Sequence, residues 1–99
     1  MLRIHEEALD EFFEAVDYYV GKLPRIADEF ADEVAMKLNQ VHLFPLRFPT
    51  HRTTYRKALL YRFPYTIFFA IEREEVIVYA ISHNSRRPDY WMDRKREAS

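Results

Sequence analysis

The sequence predicts an α+β fold, with a small antiparallel β-sheet packed on an N-terminal antiparallel helical hairpin in the order (β)ααβββ(α). Two observations carry this. Apolar residues recur at helical spacing through the first 41 positions. After a Pro/Thr-rich break the pattern changes to β-branched and aromatic runs separated by a charged turn. At 99 residues, with 48% hydrophobic and 16% aromatic side chains, residues 1–99 suffice for a single domain with one core.

Leu2-Arg3-Ile4 reads as a short edge strand. From Glu6 to Val20 the apolar positions are Leu9, Phe12, Phe13, Val16, Tyr19 and Val20, one stripe of an amphipathic helix, with Glu7, Asp10, Glu11 and Glu14 on the solvated face. Gly21 is placed to end that helix, since glycine accepts the positive φ found just past helix C-termini. Pro24 suits the first turn of a second helix, whose inner positions are Ala27, Phe30, Ala31, Val34, Leu38 and Val41. A link of three or four residues makes the pair an antiparallel hairpin. Pro45, Pro49, Thr50, Thr53 and Thr54 mark a loop. Strands are predicted at Tyr55–Tyr61, Tyr65–Ile71 and Val76–Ser82, the last two forming a hairpin around Glu72-Arg73-Glu74-Glu75. These strands are apolar on both faces, so the helices cover one face and the C-terminal segment or a partner covers the other. Pro88 to Arg94 is expected to form a turn or two of helix.

Composition excludes several chemistries. One glycine rules out glycine-rich phosphate loops, and no cysteine rules out disulfides, thiolate nucleophiles and thiolate metal ligands. No apolar run is long enough for a membrane span, so the reading is a cytoplasmic protein without membrane contact. His5, His42 and His51 lack metal-ligand spacing and read as structural or solvated; no metal, cofactor or small-molecule substrate is expected. The net charge of −1 hides an asymmetry: residues 1–50 carry 5 basic and 10 acidic side chains, residues 51–99 carry 10 and 6. That split points either to a polyanionic partner on one face or simply to acidic, solvated helices.

The densest polar run is Ser82-His83-Asn84-Ser85-Arg86-Arg87-Pro88-Asp89-Tyr90-Trp91, directly after the last strand. His83 suits proton transfer near neutral pH, Arg86 and Arg87 suit phosphate, and Tyr90 and Trp91 either stack on a base or anchor the tail on the sheet. Arg52, Arg56, Lys57 and Arg62 flank the first long strand; they either extend the basic patch or guard an edge.

In this order and at this length, three segments resemble the RelE/ParE superfamily of bacterial type II toxins, in its plasmid-stabilisation-like branch. They are Glu6–Phe12 with Asp17-Tyr18-Tyr19, Arg62-Phe63-Pro64-Tyr65-Thr66-Ile67-Phe68-Phe69, and Tyr79-Ala80-Ile81-Ser82-His83 leading into Arg86-Arg87-Pro88 and Tyr90-Trp91. The resemblance covers nearly the whole chain. It implies a toxin neutralised by a cognate antitoxin, with DNA gyrase or ribosome-bound mRNA as target: one branch poisons gyrase, another is a metal-independent mRNA endoribonuclease. A degenerate, non-toxic member acting only in complex with its antitoxin is a third possibility. The resemblance implies Lys57, Arg62, His83, Arg86 and Tyr90 as candidate catalytic residues. Arg52, Arg56, Arg87 and Trp91 complete the candidate target- or nucleic-acid-binding surface. Two departures stand out. Leu59 occupies the place of a second basic residue, and Thr66 the place of the arginine that the nucleases turn toward the phosphate. Arg62 is the residue nearest in sequence that can fill that gap.

Overall fold

The computed structural model describes residues 1–94. Strand β1 (Leu2–Ile4) leads into helix α1 (Glu6–Lys22) and helix α2 (Pro24–Leu43), followed by a single 3-10 turn at Pro45–Arg47. Strands β2 (Thr50–His51), β3 (Tyr55–Leu59), β4 (Tyr65–Glu72) and β5 (Glu75–His83) complete the regular elements of the described residues. The sheet has the order β1-β5-β4-β3-β2. It is mixed rather than purely antiparallel: β1 pairs parallel to β5, with Leu2 opposite Val76 and Ile4 opposite Val78. A parallel pair needs a long crossover, and the helical hairpin supplies it.

His5 caps α1, its Nδ1 accepting the Glu7 N–H at 3.0 Å. Glu6 and Glu7 then place negative charge at the positive end of the helix dipole. Gly21 does not end this helix. It lies inside the last turn, it has no positive φ, and Leu23 is the one extended residue between the two helices. The expected link of three or four residues is therefore a single residue, and Pro24 opens α2 directly.

The helices cover one sheet face. Phe30 is fully buried there, with its ring 5.0 Å from Tyr65, 5.3 Å from Phe63 and 5.2 Å from Tyr19. Ile67, Phe69, Val76, Val78 and Ile81 complete that core from the sheet. The buried positions of α1 are Ala8 and Ala15, where small side chains let the helix approach the strands, while Leu9, Phe13 and Val20 remain exposed. The apolar stripe read from the sequence is thus wider than the buried face.

The second sheet face carries its own core of Ala70, Ile77, Tyr79 and Ala80, closed by Trp91. The segment after Pro88 is not a regular helix. It is a run of turns held by i to i+3 hydrogen bonds, Met92 N–H to Asp89 C=O and Arg94 N–H to Trp91 C=O, both 3.0 Å. A β-bulge fixes which side chains meet it. Phe68 pairs with Ala80 but Phe69 pairs with Val78, so Tyr79 is an extra residue in β5. Tyr79 and Ala80 then both face the second core, and the next residue, Ile81, turns back to the helices.

Candidate functional site

The C-terminal end of β5 and the turn after it frame a small pocket of about 180 Å³. Phe68 and Trp91 contribute its apolar part, and His51, Ser82, His83, Asn84, Arg86, Arg87 and Asp89 its polar part. The turn is fixed by Asn84 N–H to Pro64 C=O (2.8 Å) and Arg86 N–H to His83 C=O (3.0 Å).

His83 sits where β5 ends, its ring edge-on to Tyr65 at 5.0 Å. Its Nδ1 lies 3.0 Å from the Ser85 N–H and 2.7 Å from the Ser85 hydroxyl. A backbone N–H can only donate, so Nδ1 is the acceptor and the neutral ring carries its proton on Nε2. Arg86 lies over the Tyr90 ring at 3.9 Å and 4.0 Å from Glu11, with its side chain half exposed. Arg87 is exposed, and no hydrogen bond or ion pair of its side chain occurs among the described residues. The Thr66 hydroxyl donates to Asn84 Oδ1 at 2.8 Å.

In the same pocket, His51 Nε2 lies 2.7 Å from Asp89 Oδ1. Arg52 holds the other oxygen, with Nε and Nη2 both 2.9 Å from Oδ2. The hydrogen bond from His51, helped by Arg52, holds the Asp89 carboxyl below the usual carboxylate range. Asp89 (φ 58°), Arg52 (φ 55°) and Thr53 (φ 59°) all adopt left-handed backbone, a costly conformation for a β-branched residue such as threonine.

Of the residues singled out from sequence, His83, Arg86 and Arg87 meet in this pocket. Arg52 joins it through Asp89. Lys57 pairs directly with Phe68 across β3 and β4, on the same sheet face. Trp91 forms part of the apolar wall of the same pocket, while Arg62, Arg56 and Tyr90 are placed elsewhere. Arg62 does not fill the gap at Thr66: its guanidinium is 2.9 Å from Glu29 of α2, and Glu33 accepts the N–H groups of Tyr61 and Arg62, fastening the β3–β4 loop to that helix. Arg56 donates to the Phe48 carbonyl at 2.6 Å. The Tyr90 hydroxyl donates to Glu11, and burial with that contact pushes its pKa up. Trp91 is 1% exposed, stacked on Phe68 at 4.6 Å and edge-on to Tyr55 at 4.8 Å. Its ring faces are used within the protein, which corrects the base-stacking alternative in favour of anchoring the tail.

Three participants were not singled out. His51 read as structural or solvated, and its partner Asp89 lies 38 positions away with no local signal. Glu11 read as a solvated helix carboxylate, yet its side chain is 9% exposed. It accepts from Ile81 N–H at 3.0 Å, from Tyr90, and from both Nη atoms of Arg94.

The pocket's chemistry is that of hydrogen-bond donors and cations. No group of three or more His, Cys, Asp or Glu side chains suited to a metal occurs among the described residues. Nor is any helix among them long and apolar enough to cross a membrane.

The family model described as ParE toxin of type II toxin-antitoxin system, parDE, matches residues 2–88. The chain belongs to the ParE toxin family. Among solved structures, it is similar to a chain described as "Chromosomal ParDE TA system from P. aeruginosa", at a TM-score of 0.74 and 17% identity, over 83% of this chain and 92% of that one. At that identity the likeness speaks for the fold. No curated protein matches in sequence. The pocket described above, at the end of β5, is thus carried on the fold of a ParE-family toxin. Its five-stranded mixed sheet under a helical hairpin is the α+β arrangement of that relative.

Proposed function

We propose that this ParE-family toxin arrests growth when free, is held inactive by a cognate antitoxin, and acts by poisoning DNA gyrase or a similar nucleic-acid-linked target. The observation that carries the choice of target class is Thr66. In the RNA-cleaving relatives the resemblance places a phosphate-facing arginine there. Here the position is 7% exposed and its hydroxyl is bonded to Asn84. Losing one such cation costs on the order of 10²–10³ in rate. Proton transfer is poorly served too. His83 keeps Nδ1 engaged, and the Tyr90 hydroxyl is turned into Glu11. A neutral imidazole whose remaining nitrogen already bears its proton donates a hydrogen bond but supplies no general base.

The antitoxin reading is supported by the family and by the relative whose description names a ParDE toxin–antitoxin system. An acidic or amphipathic segment suits the cationic end of β5, and such partners commonly add a strand or helix to an exposed sheet. Both candidate targets place the action in the cytoplasm.

The test is a supercoiling assay with purified protein and gyrase, alongside induction without antitoxin. Growth arrest with inhibited supercoiling or a trapped cleavage complex is expected. Arrest with new ribosome-dependent mRNA 5′ ends and untouched gyrase would move the reading to mRNA cleavage. Unchanged growth with folded protein would leave the non-toxic member acting only in complex.

A further inference from the structure

We propose that the groove between α2 and the β3–β4 loop is a self-association surface, through which two copies of this chain pair about a two-fold axis by exchanging Tyr61. The groove shares no lining residue with the pocket at the end of β5. The inference goes beyond the choice of toxin target and stands whichever target is correct.

Tyr61 comes first. At 92% exposure it is the most exposed large apolar side chain of the described residues. Neither its ring nor its hydroxyl has a partner among them. Its backbone, by contrast, is fixed. Glu33 accepts the N–H groups of Tyr61 and Arg62, and the Arg62 guanidinium is held 2.9 Å from Glu29. The loop closes through Leu60 N–H to Tyr65 C=O at 3.0 Å. Phe63 is buried within it, edge-on to Phe30 at 5.3 Å and to Tyr19 at 5.2 Å. An aromatic ring carried into water on an immobilised loop loses little further freedom on binding. Rings of this kind are enriched at the centres of protein interfaces.

The space that suits the ring lies beside it. A groove of about 390 Å³ separates Tyr61 from α2, where Met36 is 64% exposed. That volume admits an aromatic side chain. Tyr61 is itself a wall of the groove and keeps its ring in water, so the ring that fills the groove comes from another molecule. Charge selects that molecule. Of the lining carboxylates, Glu29 is taken up by Arg62, and Glu33 by the two backbone N–H groups. Asp32 and Lys37 remain, one acid and one base, each without a hydrogen bond or ion pair among the described residues. A partner of a single sign would match only one of them. A second copy brings both, and two-fold pairing makes every contact twice, so Asp32 of each copy meets Lys37 of the other. Ring, groove and both charges lie in one patch, as an isologous interface requires.

Sedimentation equilibrium of the purified protein is expected to show a reversible monomer–dimer equilibrium. Tyr61→Ala is expected to weaken it about thirtyfold, the scale of losing an interface anchor. It removes an exposed side chain, so the circular dichroism of the parent is retained. Asp32→Lys and Lys37→Asp each set like charges against one another and are expected to weaken the dimer. The two changes combined in one chain, or the two variants mixed, are expected to restore it. A monomer at every concentration, as a groove made for a different protein would give, overturns the proposal. So does a dimer that survives Tyr61→Ala or ignores the charge reversals. None of these readouts depends on growth arrest or supercoiling, so the two readings fail separately.

Discussion

Glu11 and Arg94, 83 positions apart in the chain, form a two-armed ion pair: Nη1 to Oε1 at 3.0 Å and Nη2 to Oε2 at 2.9 Å. The same two side chains complete the hydrogen bonds of β5 where β1 stops. Arg94 donates to the Tyr79 carbonyl at 2.9 Å and Glu11 accepts the Ile81 N–H at 3.0 Å. An edge that would offer unpaired backbone groups to another chain is closed by one acid and one base.

Both side chains are about nine-tenths buried, so removing either leaves a buried charge alone. Glu11→Ala and Arg94→Ala are each expected to cost about 3–5 kcal/mol in urea unfolding. The double variant should cost less than the sum, because the two share one interaction. Single losses under about 1 kcal/mol would mean that the edge is held otherwise.

Trp91→Ala removes the largest side chain of the second core. A loss of about 3–5 kcal/mol is expected, read by circular dichroism during denaturation. It should come with new binding of a hydrophobic dye as Phe68, Tyr79 and Ala80 lose their cover.

Asp89 sets an acid limit. Its carboxyl titrates below the ordinary 3.8 in the folded protein, chiefly through the His51 hydrogen bond. A depressed carboxylate stabilises the fold above its unfolded value, and that stabilisation is lost as pH falls through the folded value. The stability gap between the parent and Asp89→Asn should therefore hold steady near neutrality and close in strong acid. A gap that ignores pH would separate Asp89's role from its charge.

Tyr65 sets the alkaline counterpart. Burial, then the neighbouring tyrosines, push its hydroxyl from 10.0 to about 12. The folded chain keeps a proton that the unfolded chain has released, so this contribution is intact below 10.0 and fades as pH rises toward about 12. Tyr65→Phe should lose less stability over that interval than the parent. In an ultraviolet titration, one phenol of the parent should ionise late and be missing from the variant.

Gly21→Ala should raise stability by about 0.5–1 kcal/mol. The glycine lies in regular helix, and a Cβ there meets nothing within 4 Å. A destabilised variant would show that the last turn of α1 needs glycine's freedom.

The helices and the β4–β5 hairpin were legible because periodicity is a local property. Phe30, Val34 and Val41 repeat at helical spacing and are buried; Tyr65–Glu72 and Glu75–His83 begin and end within a residue or so of where the β-branched runs do. What was hidden is what distance in the chain creates. Three residues, Leu2–Ile4, carry no sign of which strand they join or in which direction. His51 and Asp89 look unremarkable singly and matter only as a pair, and Glu11 shares its residue type with Glu7 and Glu14 but alone faces the strand edge. Gly21 misled because a glycine past a helix and a glycine in its last turn read alike.

The bulge at Tyr79 makes the last strand a matter of parity. Up to that point odd and even positions of β5 alternate regularly; past it the alternation is reversed. Deleting the one extra residue would exchange the sides on which Ser82 and His83 emerge, carrying serine to the helices and histidine to the far face. The composition of the cationic pocket therefore depends on the number of residues upstream of it as much as on which residues they are, and a single-codon deletion could rewrite it while leaving every polar side chain in the sequence.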